Sequence, residues 1–177
     1  MLKKKITEYN KNFIAEIKNK YAILTAGDKT NGYNGMLVSW GGIGEMWGQD
    51  VIFVFVRKSR YTYEFIEKSD SITLAFLSDQ YKDAKALFGS KTGRNINKYL
   101  EAGLHPTFDP DYNGYYPAEA DYVFKTKKLY SIDIPYDKLP IDIKNNYYSN
   151  GDMHTMYVCQ IKQFLVNEEW DIIYFLI

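Results

Sequence analysis

The sequence predicts a mainly β fold, most simply a small closed or split barrel with short connecting helices, on three observations. Aromatic content is high, with 17 Tyr and 10 Phe, and these residues suit strands and half-buried surfaces better than long surface helices. Short apolar runs recur along the chain, separated by turn chemistry. The helical patterns between them are brief, as expected of connectors between strands.

"YAILTAG" is the first apolar run, and Gly27, Asp28, Asn31, Gly32, Asn34 and Gly35 supply a tight connection after it. "MLVSW" is the second strand, and the glycines at 41, 42, 44 and 48 read as the loop that follows. "VIFVFV" is apolar at every position, which predicts a central strand covered on both faces. A short helix follows over "YTYEFIEKSD", with Ser59 or Thr62 available as its cap. "SITLAFL" is another strand. "SDQYKDAKALFG" is a helix capped by Ser78 or Asp79 and stopped by Gly89, and "NINKYLEAG" is a helix ending at Gly103.

The second half has a different texture. Residues 105–119, with Pro106, Pro110 and Pro117 among tyrosines and acids, read as an ordered irregular loop of the type that often lies over sites. "ADYVFKTKKLYSIDI" alternates as a half-exposed strand, residues 135–152 read as a loop, and "HTMYVCQIKQFLV" and "DIIYFLI" as the last strands. Cys159 sits mid-strand as a small core residue. The 177 residues fit one domain, 1–177, large enough to bury roughly 70% of the surface its unfolded chain exposes.

Charge and motifs narrow the chemistry. The 22 basic and 22 acidic residues cancel, so no global field attracts nucleic acid or an anionic membrane, and any anion site must be local. A single cysteine agrees with a reducing compartment, the cytoplasm by default. "MLKKKITEYNKN" has no apolar stretch of the signal-peptide type, and no run approaches the roughly 20 apolar residues of a spanning helix. "GGIGEMWG" has a misplaced third glycine for a dinucleotide fingerprint, and "GSKTG" has Ser90 where a P-loop needs glycine. His105 and His154 lack partners at ligand spacing, so no metal is expected. There is no G-x-S-x-G elbow.

What remains is basic and hydroxyl residues at element ends. Arg57 and Arg60 bracket Ser59 where a buried strand gives way to a helix whose first turn holds Tyr61 and Thr62. Free backbone N–H groups and the helix dipole favour an anion there by ~0.3–1 kcal/mol before the arginines are counted. A second cluster, Ser90, Lys91, Thr92, Gly93, Arg94 and Lys98, leads into the next helix. Together they can converge on one phosphate dianion.

The stretch "TAGDKTNGYNGMLVSWGGIGEMWGQDVIFVFVRKSRYTYEFIEKSDSITLAFL", continued by "GSKTGRNINKYLEAGL" and by "GDMHTMYVCQI", resembles the flavin reductase-like family of FMN-binding split barrels, in its flavoredoxin-like branch. The resemblance covers about Thr25 to Ile161 and rests on the N-x-M-x-x-S-W and R-x-S-R-Y-T elements together. It implies a six-stranded antiparallel barrel, a homodimer, and FMN held near the subunit interface. Met36, Val38, Ser39 and Trp40 would lie along the isoalloxazine ring, largely through backbone groups, while the glycines after them admit the flat ring. Arg57, Tyr61, Thr62, Ser90, Lys91, Thr92, Gly93 and Lys98 would meet the phosphate, with Arg60 and Arg94 as second choices. His154 matches a histidine that lies near the ring in such reductases and is the candidate catalytic residue. Asn95 and Asn97 stand where the family often has aspartates, and Thr92 where it has serine. The implied activity is hydride or electron transfer through flavin N5, with NAD(P)H as donor. The alternatives are an electron carrier serving a redox partner protein, and an aromatic-rich ligand-binding barrel without flavin.

Overall fold

A computed structural model describes residues 1–167; the strand expected at 171–177 lies outside them. The N-terminal lysine segment is itself a strand, β1 (Leu2–Lys4), followed by a helical segment that opens as α1 (Phe13–Ala15) under an Asn12 side-chain cap and continues to Lys20. Strands β2 (Ala22–Asp28) and β3 (Gly32–Val38) form a hairpin. Asp28 closes its turn by accepting from the N–H groups of Thr30 and Asn31 at 2.9 and 2.8 Å. Gly27 is required there, because at φ 122° a Cβ would lie 2.0 Å from the Gly32 carbonyl oxygen.

The glycine run is not a loop. Residues Gly41–Met46 form β4, paired with β5 (Gln49–Arg57) through a two-residue turn in which Trp47 and Gly48 both have positive φ, 58° and 71°. That is the geometry a tight antiparallel hairpin needs. Gly42 and Gly44 lie against the Phe53 ring, where an added Cβ would meet it at 3.8 and 3.6 Å, and at Gly41 a Cβ would come within 2.7 Å of the Phe53 carbonyl. These glycines make room for a neighbouring side chain and backbone of the same hairpin.

Helix α2 (Tyr61–Lys68) follows β5, then β6 (Ser71–Phe76) and α3 (Lys82–Ser90), which runs one residue past Gly89. Arg60, rather than Ser59 or Thr62, occupies the cap position of α2 and gives it no side-chain hydrogen bond. Ser78 precedes a short 3-10 turn, so neither Ser78 nor Asp79 caps α3 directly. The expected helix at 95–103 contracts to α4 (Lys98–Glu101), capped by Asn97, whose side chain accepts from the N–H groups of Tyr99 and Leu100. The proline-rich segment contains a small hairpin, β7 (Pro106–Asp109) and β8 (Gly114–Pro117). Strand β9 (Tyr122–Asp133) leads to helix α5 (Ile141–Tyr147), in a region that reads from sequence as loop, and β10 (His154–Val166) closes the described chain.

The fold is mainly β, with an eight-stranded antiparallel sheet in the order β3-β2-β6-β9-β10-β5-β4 and β1 pairing with the far end of β10. Register shifts at Val158/Cys159 and Ile161/Gln163 let β10 bend, so that its first half pairs with β5 and its last residues with β1. One apolar cluster, including Leu24, Ile52, Val54, Val56, Leu74, Phe124, Tyr157 and Cys159, fills the inside of the curved sheet. A second, including Ile23, Phe88, Tyr99 and Leu104, packs on the other face under α3 and α4. The strand buried at every position is therefore β2, whose side chains feed both clusters. The prediction for "VIFVFV" is corrected: Ile52, Val54 and Val56 point inward, but Phe53 and Phe55 are only partly buried on the outer face, because β5 lies beside the edge strand β4.

Candidate functional site

Three element ends meet around a cavity of about 430 Å³, within the roughly 300–1,000 Å³ typical of small-molecule sites. Of the residues proposed from the sequence for the site, its walls include Met36, Val38, Ser39, Trp40, Arg57, Arg60, Tyr61, Thr62, Ser90, Lys91, Thr92, Gly93, Lys98 and His154. Arg94 lies outside it, with its guanidinium 4.7 Å from the Tyr61 ring and paired with Glu64. None of the glycines at 41, 42, 44 or 48 lines the cavity, so the expectation that they admit a flat ring is replaced by the packing of Gly41, Gly42 and Gly44 against Phe53 and by the place of Gly48 in the β4–β5 turn.

The first wall is β3. It ends the strand order and pairs only with β2, so alternate backbone N–H and C=O groups along Met36–Val38 have no strand partner on the other side. This edge offers hydrogen-bonding groups in a row beside Trp40. The Trp40 ring in turn lies 4.7 Å from the His154 ring and 5.3 Å from Tyr147.

The second wall is the junction of β5 and α2. Register pairs Arg57 with His154, which places the end of one strand against the start of the other. Arg57 donates to the Tyr147 carbonyl at 2.9 Å and to the Asp152 carbonyl, and its guanidinium lies 3.9 Å from the Asp152 carboxylate. Ser59 donates to the same carboxylate at 2.6 Å. Arg57 thus holds residues 147–152 against the sheet while remaining on the cavity wall. Arg60, by contrast, makes no ion pair or side-chain hydrogen bond among the described residues.

The third wall is the α3–α4 connection. Gly93 lies directly on Asn34, whose Oδ1 would be 2.1 Å from any Cβ at that position, and Asn34 donates to the Thr62 hydroxyl at 2.7 Å. One small contact therefore joins all three walls. The Ser90 hydroxyl donates back to the Ala86 carbonyl at 2.8 Å, and the Thr92 hydroxyl accepts from the Arg94 N–H at 3.3 Å. Lys98 is 6% exposed, and its Nζ donates to the carbonyls of Gly35 and Phe88 at 3.1 and 3.0 Å. No carboxylate pairs with it among the described residues. Burial, and then the nearby Arg60 charge, lower its pKa from 10.5 to about 8, so at neutral pH the ammonium is charged with only neutral acceptors around it.

His154 presents the opposite state. Burial, followed by the repulsion of Arg57, lowers its pKa to about 4, and its Nδ1 lies 2.9 Å from the Tyr148 hydroxyl. The imidazole is neutral at pH 7 and is suited to hydrogen bonding rather than to delivering a proton as a cation.

Asn34, Leu37, Phe55, Ser59, Phe88 and Gly89 also line the cavity, and the sequence reading did not propose them as site residues. Asn34 had a visible signal, since it opens the N-x-M-x-x-S-W element. Phe88 reads as an ordinary core position, and only the folded chain places it beside Lys98, with the ammonium 5.7 Å from its ring.

Solved structures with the same fold include flavoredoxin of Desulfovibrio vulgaris (Miyazaki F), with a TM-score of 0.68 and 21% identity over 95% of this chain and 78% of that one. Flavoredoxin from Methanosarcina acetivorans gives 0.67 and 16% over 84% and 69%. Nitrilotriacetate monooxygenase component B from Bacillus cereus gives 0.66 and 15% over 96% and 83%. No curated protein matches the sequence. Among the described residues no helix is long and apolar enough to cross a membrane. The profile of the flavin reductase like domain matches residues 14–175, and with most of the chain inside that match, the protein belongs to the flavin reductase like domain family.

Proposed function

We propose that the cavity seats FMN and that the protein is a flavin-dependent oxidoreductase of the NAD(P)H-dependent reductase type. The observation that carries this reading is the Lys98 ammonium. A buried cation without a counter-ion is costly, and this one sits on a cavity wall with Arg60, Lys91 and the uncapped start of α2. A phosphate dianion supplies the missing charge and accepts from the N–H groups of the helix start. The edge of β3 supplies backbone groups along Met36–Val38 for the polar rim of the ring, as in small-molecule sites where a few convergent polar groups fix orientation. FMN, when bound, supplies the redox chemistry; the chain's part is to bind, orient and shield it. His154, held by Tyr148 and covered by Trp40, offers a neutral hydrogen-bonding edge on that wall.

The related solved structures support the choice of FMN: one neighbour is described as an FMN-binding protein from Thermus thermophilus with bound p-hydroxybenzaldehyde, with a TM-score of 0.65 at 14% identity. Visible spectra of the purified protein with added FMN, followed by NADH and NADPH oxidation with FMN or FAD as acceptor, test the reading. Retained yellow colour and pyridine-nucleotide oxidation are expected. A protein that remains colourless and does not retain FMN refutes it.

A second reading, an electron carrier for a protein partner, draws on the aromatic rim: Trp40 and Tyr147 are 38% and 47% exposed beside the cavity. It predicts stable flavin with no pyridine-nucleotide oxidation.

A homodimer belongs to the same proposal. Phe53 and Phe55 on β5 register with Val158 and Met156 on β10, which register in turn with Tyr130 and Ile132 on β9. This makes a continuous apolar outer face, and Phe55 also lines the cavity. A second copy on that face would remove the apolar surface from water and cover the cavity edge. Sedimentation is expected to show a dimer, and Phe53→Lys to shift it to monomer; a wild-type protein that sediments only as monomer removes the assembly.

A further inference from the structure

Helix α5, in a region that reads from sequence as loop, ends against His154. Tyr148 follows its last turn, where its N–H donates to the Lys144 carbonyl and its own carbonyl accepts from the Gly151 N–H, both at 3.0 Å. On either side Arg57 holds the Tyr147 and Asp152 carbonyls, and its guanidinium lies 5.3 Å from the Tyr148 ring. The Tyr148 side chain is therefore fixed in place. It is 3% exposed, and its hydroxyl has one hydrogen-bond partner among the described residues, the His154 Nδ1 at 2.9 Å. The Trp40 ring, 4.7 Å away, holds the imidazole from a second side. Its Nε2 makes no hydrogen bond among the described residues and is not sealed from solvent. Because His154 lines the cavity and Tyr148 does not, Nε2 is the ring nitrogen open to it.

Between a phenol and a neutral imidazole either can donate, and counting protons decides which does. Burial raises the pKa of Tyr148, so its hydroxyl keeps its proton at pH 7, while burial and then the Arg57 charge keep His154 neutral. If Nδ1 carried the imidazole proton, the Tyr148 O–H would be a buried donor without an acceptor, a state that folded chains avoid. If the O–H donates, Nδ1 accepts, and the ring proton sits on Nε2. The bond made by one ring nitrogen sets the state of the other. We propose that Tyr148 is a positioning residue that locks His154 in its Nε2–H form, so that this wall of the cavity offers a neutral donor and takes an acceptor atom of the ligand, a carbonyl oxygen or an unprotonated ring nitrogen. In this form His154 is not a base towards the cavity, because Tyr148 occupies its one lone pair. The ligand half of the inference rests on the flavin reading above, whereas the tautomer is a property of the ligand-free chain.

Long-range proton–nitrogen NMR on the whole chain with isotope-labelled histidine reads which ring nitrogen carries the proton. His105 is the only other histidine and lies outside the cavity, so His105→Gln assigns the two rings. The free wild type at pH 7 is expected to show His154 protonated at Nε2 and bare at Nδ1. Tyr148→Phe, which removes only the hydroxyl, is expected to lose that single form and to show averaged shifts for both nitrogens. Added FMN should leave Nε2 protonated in the wild type and move its N–H resonance downfield as the hydrogen bond forms. A wild-type Nδ1–H form, or a Tyr148→Phe spectrum identical to wild type, overturns the inference, and the wild-type spectrum decides even where the variant fails to fold. An N–H resonance that bound FMN leaves unmoved overturns the donor role. If visible spectra show that FMN does not bind, the flavin reading fails, and the spectrum of the free protein still judges the tautomer.

Discussion

Replacing Lys98 with Met separates the demands of folding from those of binding. In the free protein the ammonium is buried, and lowering its pKa from 10.5 to about 8 corresponds to an upper limit of about 3 kcal/mol against the charged form at neutral pH. Met of similar length relieves that penalty but leaves the Phe88 carbonyl without its Lys98 donor, which costs about 1–3 kcal/mol, while the Gly35 carbonyl keeps the Asn34 amide at 3.3 Å. The opposing effects are of one size, so the melting temperature of the flavin-free variant is expected to change little. Flavin affinity should not be spared. Loss of one charged hydrogen bond to the phosphate removes about 1.5–3 kcal/mol, or roughly a 10- to 150-fold rise in Kd. The pH dependence provides a second readout. The folded chain gives up the Lys98 proton at about pH 8 and the unfolded chain at 10.5, so the wild type binds fewer protons when folded and gains stability as pH rises across that window. In Lys98→Met that rise should disappear. Anion binding favours the protonated ammonium, so wild-type FMN affinity is expected to fall above pH 8. Fluorescence-quenching titrations and thermal melts measure both. A folded Lys98→Met protein that binds FMN with wild-type affinity refutes the assignment.

Arg57→Ala and Arg60→Ala should separate two roles: the first releases the Tyr147 and Asp152 carbonyls, raising hydrogen exchange in residues 147–152 and weakening FMN, whereas the second weakens FMN by about tenfold without that change. Equal exchange in the two variants would argue against Arg57 as the anchor. Gly93→Ala places a Cβ 2.1 Å from the Asn34 Oδ1, and melts and titrations should show about 1–3 kcal/mol of lost stability together with weakened flavin; wild-type values in both would exclude the contact as a joint of the site. His154, with its pKa lowered to about 4, resists protonation only while the chain is folded, so stability should be lost as pH falls from about 6.5 towards 4, by at most about 3 kcal/mol. His154→Asn should flatten that part of the curve, and an unchanged acid limb would place its cause in other groups.

Much of the site was legible because its residues carry local signals. Hydroxyl and basic side chains at the ends of apolar runs marked Arg57–Thr62 and Ser90–Lys98, and the run after Asn34 marked the Met36–Trp40 wall. The glycines at 41, 42 and 44 misled because a strand can also need glycine when a neighbour's ring lies flat on it, and periodicity does not distinguish that from a loop. The unbroken apolar run of β5 likewise could not show that Phe53 and Phe55 face outward. That depends on which strands flank β5 in the sheet.

Sequence by itself determined the fold class, most of the strand and helix order apart from the Gly41–Met46 strand, and the two clusters of cationic and hydroxyl residues, since these follow from side-chain chemistry and short-range pattern. Only the tertiary structure decided that the two clusters share one cavity, that Arg57 is engaged by residues 147–152 while Lys98 is buried without a counter-ion among the described residues, and that His154 is neutral at pH 7. The physical reason is that charge state and partnership depend on desolvation and on distances between residues as far apart as Asn34, Thr62, Gly93 and His154, and strand pairing across the sheet sets both.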